Sequence, residues 1–403
     1  MKPSSTLALA AVLLISTASV GLAQALTRAN EATIRQQVEL TASDAQPNDY
    51  FGSAVSLSGN RALIGGGLAN PIDEGAAYVY VFDGTNWIQE ARLTPSDGRP
   101  FDFFGSSVSL SGNRALIGGG LSDHNKGAAY TFVFDGTSWT QEAKLIPSDL
   151  RNNNNFGSSV SLQGNRALIG ASAASSISAP GKAYIFVFDG TAWSQQAELT
   201  QAHQTNLDFG VSVSLSGNRA LIGADQSTTG NGKAYIFAFD GVTWNQEAEL
   251  TASDGQVADR FARSVSLSGN RALIGADQLQ QNPPAPGKAY IFAFDGTSWN
   301  QEAELTASDG QPTDNFGIRV SLWGTRALIG ASQLDANGGR GGAGAAYLFV
   351  SDGTSWRQQS KLTAADGQAP DFFGSAVSLW KKRALIGADN ADSARGAAYI
   401  FAP

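Results

Sequence analysis

The chain contains no cysteine, which excludes disulfides, thiolate metal sites and a lipid-bearing cysteine together. Histidine is nearly as scarce. His124 and His203 are the only two, they lie in different stretches, and neither has an identifiable serine partner. Charged residues make up 15%, and no stretch reaches the length needed to cross a bilayer as a helix. No window places apolar residues at a 3.6-residue spacing between capping residues, so helices are not expected. Glycine, by contrast, is plentiful at 46 residues, and aromatics reach 9%. This is the composition of a turn-rich, buried β protein rather than a disordered one.

The first residues read as an export segment. Lys2 is the only charge before Arg28, the apolar run Leu7 to Ile15 follows, and Ala23-Gln24-Ala25 has the small-x-small form of a cleavage site. Residues 1–25 are therefore expected to be a signal peptide, removed to leave a soluble protein that is secreted or periplasmic. Residues 26–403 are expected to form one domain.

That domain is written as seven copies of one unit. A phenylalanine opens each copy, at Phe51, Phe104, Phe156, Phe209, Phe261, Phe316 and Phe373, with spacings from 52 to 57 residues. This range belongs to propeller blades rather than helical repeats. Each copy parses into four strands, here lettered A to D. In the fifth copy strand A is Ser-Val-Ser-Leu-Ser (264–268), followed by the turn pair Gly269-Asn270. Strand B is Arg-Ala-Leu-Ile-Gly-Ala, and strand C, from Lys288 to Phe294, is apolar almost throughout. The turn Asp295 to Ser298 leads into strand D, where alternation predicts Trp299, Gln301, Ala303 and Leu305 on one face. One such sheet cannot bury both faces alone, but seven arranged radially cover one another. The last copy stops before its strand D, and Ile34 to Asp44 matches Trp356 to Asp366 in register. Residues 33–41 are therefore expected to complete the last blade of an all-β, seven-bladed propeller of four-stranded antiparallel blades.

With Phe-Gly, Gly-Ala and Gly-Ala-Ala-Tyr recurring in this order, the sequence resembles the FG-GAP repeats of integrin α-subunit propellers and their bacterial relatives. The resemblance implies extracellular binding or adhesion. Three departures stand out. The proline of Gly-Ala-Pro is replaced, as at Asp225 and Ser332, and the fifth copy reads Phe261-Ala262 in place of Phe-Gly. The family's calcium loop between the first two strands is reduced here to a two-residue turn. Such a turn cannot supply the six to eight oxygens that calcium takes. No cofactor is expected, and calcium remains an alternative only through the acidic loops described next.

In a four-stranded meander the A–B and C–D turns lie at one end, and the B–C and D–A′ connections at the other. The first end is monotonous in sequence. The other varies, as in Asp225 to Gly232 against Ser332 to Gly344, and it carries the chain's negative charge. Variable loops on a rigid scaffold are the expected ligand face. Asp335 and Arg340 lie in its longest loop. An acidic face repels phosphate backbones and anionic lipid, so neither nucleic acid nor membrane insertion is expected. Acidic pairs recur in the D–A′ loops at Asp44/Asp49, Asp97/Asp102, Asp254/Asp259, Asp309/Asp314 and Asp366/Asp371. They read either as caps of loop N–H groups or as a ring of weak cation sites. Arg263 and Arg319 break the pattern at the start of strand A, either to line the channel mouth or to neutralise Asp259 and Asp314. At the opposite end Trp323 and Trp380 replace a serine. They either pack locally or present an aromatic surface to a sugar or partner. The seven strand-B arginines from Arg61 to Arg383 lie at the same end as the Asp-Gly turns and read as an ion-pair ring with them.

Catalysis needs unlike groups at one spot, whereas this chain repeats like groups around a ring. The sequence therefore points away from an enzyme. It points to a monomeric module that binds an extracellular protein, or alternatively to a multivalent glycan-binding propeller.

Overall fold

Among the described residues, short runs of alternating small polar and apolar residues, punctuated by Gly-Asn and Asp-Gly turns, fold into 28 strands and one helical turn, Ala391–Ala394. The computed structural model describes residues 34–403 except 67–73, 121–125, 150–154, 173–179, 202–207, 226–229, 279–282, 284 and 334–340. The segment read above as an export signal, residues 1–25, lies outside the described residues. Among the described residues no helix is long and apolar enough to cross a membrane.

The strands form seven four-stranded antiparallel sheets. In the fifth, strands A (Ser264–Ser268), B (Arg271–Ala276), C (Lys288–Phe294) and D (Trp299–Leu305) follow one another as a meander. Strand B is the most deeply covered, with Ala272, Leu273 and Ile274 fully buried. The last sheet departs from this order. Arg35–Leu40 takes its outer position beside Ala397–Ala402, which pairs in turn with Arg383–Ala388 and Ala376–Trp380. The N-terminal strand thus completes the C-terminal blade. Gln37 Nε2 donates to Ala402 O at 3.2 Å, and Gln36 Oε1 accepts from Ala365 N at 2.9 Å.

Strand A of every blade contacts strand A of the next, and the cycle closes from the seventh blade to the first. The serines that alternate through strand A serve this ring. The Leu57 amide donates to Ser378 Oγ, and the same Leu-to-Ser bond recurs at all seven joints at 2.9–3.0 Å. An innermost strand has one sheet edge without a backbone partner, and these hydroxyls satisfy N–H groups that burial would otherwise leave unpaired.

The Phe-Gly and Gly-Ala motifs are the two halves of each joint. A methyl group on Gly387 would lie 1.9 Å from the Gly52 carbonyl oxygen of the neighbouring blade, and the other joints repeat this approach. The phenylalanine beside it is wholly buried in every blade. It meets strand C edge-on, as where Phe104 lies 5.5 Å from Tyr130 and 6.0 Å from Phe132. Ala262 keeps the joint geometry of its glycine counterparts, with φ at 70°.

Strand D does not keep the simple alternation expected of it. Ile291 pairs with Ala303 but Phe292 with Gln301, so Glu302 is a bulge. The same bulge occurs in all six complete C–D pairs. One extra residue reverses the faces beyond it. Trp299 and Gln301 therefore lie opposite in sense to Ala303 and Leu305.

Candidate functional site

At the A–B and C–D end, the bulge turns a strand-D side chain toward the next blade. Glu90 receives Arg61 of its own blade at 2.7 Å and the indole N–H of Trp139 in the following blade at 2.8 Å. Arg61 in turn stacks over Phe134, 4.3 Å from the ring centroid. The Arg61 guanidinium holds the Glu90 carboxyl below its usual pKa against the opposing effect of burial. Equivalent triads join Arg114, Glu142 and Trp193, then Arg219, Glu247 and Trp299, then Arg271, Glu302 and Trp356. These four arginines are thus structural, but their partners are strand-D glutamates, while Arg166, Arg326 and Arg383 meet neutral acceptors. The turn aspartates expected as partners cap their own turns instead, as where Asp83 Oδ1 accepts from the amides of Thr85 and Asn86 at 2.7 Å.

Trp323 and Trp380 belong to this end and pack on each other across two blades, with ring centroids 4.2 Å apart. They stand where other blades place a Ser hydroxyl that receives the next turn's amide, as Ser58 does from Gly112 at 3.1 Å. The contact is local packing at a joint.

At the opposite end the two members of each acidic pair have different work. The second caps its own loop. Asp49, Asp102, Asp259, Asp314 and Asp371 accept the amides of Gln46, Arg99, Gln256, Gln311 and Gln368 at 2.6–3.0 Å. The first reaches the following strands. Asp97 meets Lys144 at 2.6 Å and Tyr130 at 3.1 Å, Asp254 meets Lys288 and Tyr290, and Asp309 meets Lys361 and Tyr347. Burial raises the Asp97 pKa, but the ammonium and hydroxyl outweigh it and leave the carboxyl below its usual value. Asp44 pairs with Arg92 at 3.0 Å. Asp366 accepts the Tyr399 hydroxyl at 3.5 Å, and in place of a cation it faces the Glu39 carboxyl, close enough both to repel it and to share a hydrogen bond when one of the two is protonated. Among the described residues the paired carboxylates do not converge on a shared point, and no group of three potential ligands forms.

On the propeller axis the starts of the A strands surround a cavity of about 400 Å³. Blades one to four present serines and valines to it, among them Ser53, Ser107, Ser159 and Ser212, and Arg263 and Arg319 project from blades five and six. Of the two readings open for these arginines, the structure gives the channel mouth. Asp259 and Asp314 are held by their own loops and by Gln278 and Gln333. Arg263 pairs instead with buried Asp225 at 3.3 Å, and Arg260 with buried Asp277 at 3.1 Å. These two aspartates occupy the position of the missing Gly-Ala-Pro proline. Sequence reading noted that replacement without assigning it a role. The signal was present, since the same position supplies Asp389 in the seventh blade.

Arg319 has no carboxylate within ion-pair reach among the described residues, and its Nη1 donates to Ile318 O at 2.9 Å. Burial, then repulsion from Arg263, push its pKa down to about 10. Asp389 is the complementary case. Burial pushes it up to about 6 against the pull of Ser375 and Arg319, and its buried Oδ1 has no hydrogen-bond partner. The axis thus combines an unpaired cation, hydroxyls and small apolar side chains in one opening. Asp335 and Arg340 lie outside the described residues.

Comparison with known families agrees with this geometry. No curated protein matches the chain. The FG-GAP repeat model matches seven times, at residues 34–80, 87–132, 139–186, 193–237, 244–292, 299–349 and 356–401. Each match begins at an outer strand and ends in strand C of the next blade, so one sequence repeat spans two structural blades. This one-strand offset is what carries the N-terminal strand into the last sheet, and with seven matches over nearly all of residues 34–401 the chain belongs to the FG-GAP repeat family.

Proposed function

We propose that this propeller is an exported, monomeric, non-enzymatic binding module of adhesion type. It recognises an extracellular protein through the end that carries the B–C and D–A′ connections. One observation carries the reading: the departures from the repeat converge on the axial opening at that end. Arg263, Arg319, Asp225 and Asp277 replace small or apolar residues there, and among the described residues Arg319 is left without a carboxylate partner. At the other end the repeated Arg, Glu and Trp side chains are largely occupied in joining blades. A catalytic role has no support from the repeated carboxylates, which serve as caps and ion pairs. No resident calcium is proposed for the same reason.

The partner is basic or neutral overall, because the loops of this face carry the negative charge of a chain whose formal net charge is −8, and it presents a hydrogen-bond acceptor to Arg319 on the axis. Association should weaken and slow as salt rises. The test uses fluorescently labelled protein on intact cells and on a glycan array. Arg319→Ser, and exchange of Ser332–Gly344 for the shorter Asp225–Gly232 sequence, should reduce cell binding at least tenfold without lowering the melting temperature. Trp323→Ser should leave binding unchanged. A loss confined to Trp323→Ser would move the site to the opposite end, and array signal abolished by free sugar would favour a lectin.

A further inference from the structure

The joint between the last blade and the first lacks the carboxylate that four other joints contain. In five joints the strand-D indole N–H has an acceptor: Glu90, Glu142, Glu247 and Glu302 at 2.7–2.9 Å, and Gln196 at 3.1 Å. Trp87, at the closing joint, has none among the described residues. The residue in register with those acceptors is Gln37, whose amide is turned to Ala402 O. Among the described residues Arg383 meets no carboxylate, and its Nη1 reaches only Gly59 O, at 3.3 Å. Its guanidinium sits 5.1 Å from the Phe82 centroid, whereas in three carboxylate-bearing joints the distance is 4.1–4.3 Å.

Beside these two donors is a pocket of about 290 Å³, lined by Phe82, Asn86, Trp87, Arg383 and Ile400. That volume lies near the lower end for small-ligand sites, roughly 300–1,000 Å³. We infer that this joint is a binding site for a sugar acid. The ligand carboxylate lies between Arg383 and the Trp87 indole N–H, where a glutamate lies in the sibling joints. The sugar ring rests against Phe82 and Trp87, and the Asn86 and Thr85 side chains at the rim face its hydroxyls. The donors match a planar monoanion because four internal copies of the arrangement already hold one. The aromatic wall gives the rest of the ligand a surface that a bare carboxylate would leave unused. The site is independent of the face assigned above, since it lies at the other end of the blades.

The sibling joints also supply the test. Calorimetry on the mature protein would compare D-glucuronate, D-glucose and N-acetylglutamate. Glucuronate should bind at least tenfold more tightly than either. Gln37→Glu places an internal carboxylate on the same donors, and should weaken glucuronate at least tenfold while leaving the melting temperature equal or higher. Gln196→Glu, the same change at another joint, should leave glucuronate binding unchanged. Absence of glucuronate binding to the unmodified protein, or binding that survives Gln37→Glu, would overturn the site. N-acetylglutamate binding as tightly as glucuronate would overturn the sugar assignment in favour of an acidic peptide.

Discussion

At Gly387 the neighbouring blade's backbone leaves no room for a methyl group, because the Gly52 carbonyl occupies the space a Cβ would need. Two blades must separate to admit one, with loss of contacts on both sides of the joint. Gly387→Ala should therefore cost about 3 kcal/mol, in the range of severe core overpacking, as read by denaturant melts. A cost below about 1 kcal/mol would mean that the joint yields and that the motif has another purpose. Gly387 is not among the glycines with positive φ, so the predicted cost belongs to the close approach rather than to backbone conformation. The motifs themselves were plain in the sequence, but their pairing across blades was not, because the two glycines of one joint belong to different copies. Strand D was misread for a related reason. Period-two alternation has no sign for the extra residue that turns Glu302 toward Arg271 and Trp356. The arginines were likewise recognised as structural and given the wrong carboxylates, because turn aspartates prefer their own adjacent amides.

Among the elements, the N-terminal strand Arg35–Leu40 is the one whose place in space is farthest from its place in sequence. Its register with other outer strands was legible from the match of Ile34–Asp44 to Trp356–Asp366, and the sheet order agrees. The strand also carries a flaw. Where Lys144 and Lys361 meet Asp97 and Asp309 in other blades, Glu39 faces Asp366. Burial, then repulsion from Asp366, raise the Glu39 pKa. A carboxyl raised on folding favours the native state below its unfolded pKa and loses that contribution as pH rises through the folded value. At neutral pH the pair therefore weakens the closing sheet. Glu39→Lys should restore the sibling arrangement and stabilise the protein at pH 7 by about 0.5 kcal/mol, the scale of an exposed pair. The gain should shrink as pH falls through the raised folded value of Glu39, where protonation of Glu39 already relieves the repulsion that the substitution removes. Calorimetric melts across pH would show it, and a lower melting temperature for the variant at pH 7 would contradict this account.

For the whole molecule, seven nearly equal units make a ring whose stability is collective and whose individuality lies in the exceptions. Fold and repeat number were legible because a period above 50 residues with strand-like texture has few other solutions. The axial site was legible only in part. Arg263 and Arg319 were visible as departures, but their convergence with Asp225 and Asp277 depends on a circular geometry that brings residues of several copies to one axis. That geometry rests on closure. The measurement that tests it most directly is the thermal melt of a mature chain lacking every residue before Ala42. With the last strand C left as an unpaired apolar edge, the account predicts a melting temperature at least 10 °C lower, aggregation on heating, and recovery when a peptide spanning Ile34–Asp44 is added. A cooperative melt within a degree or two of the complete protein would contradict closure by the N-terminal strand.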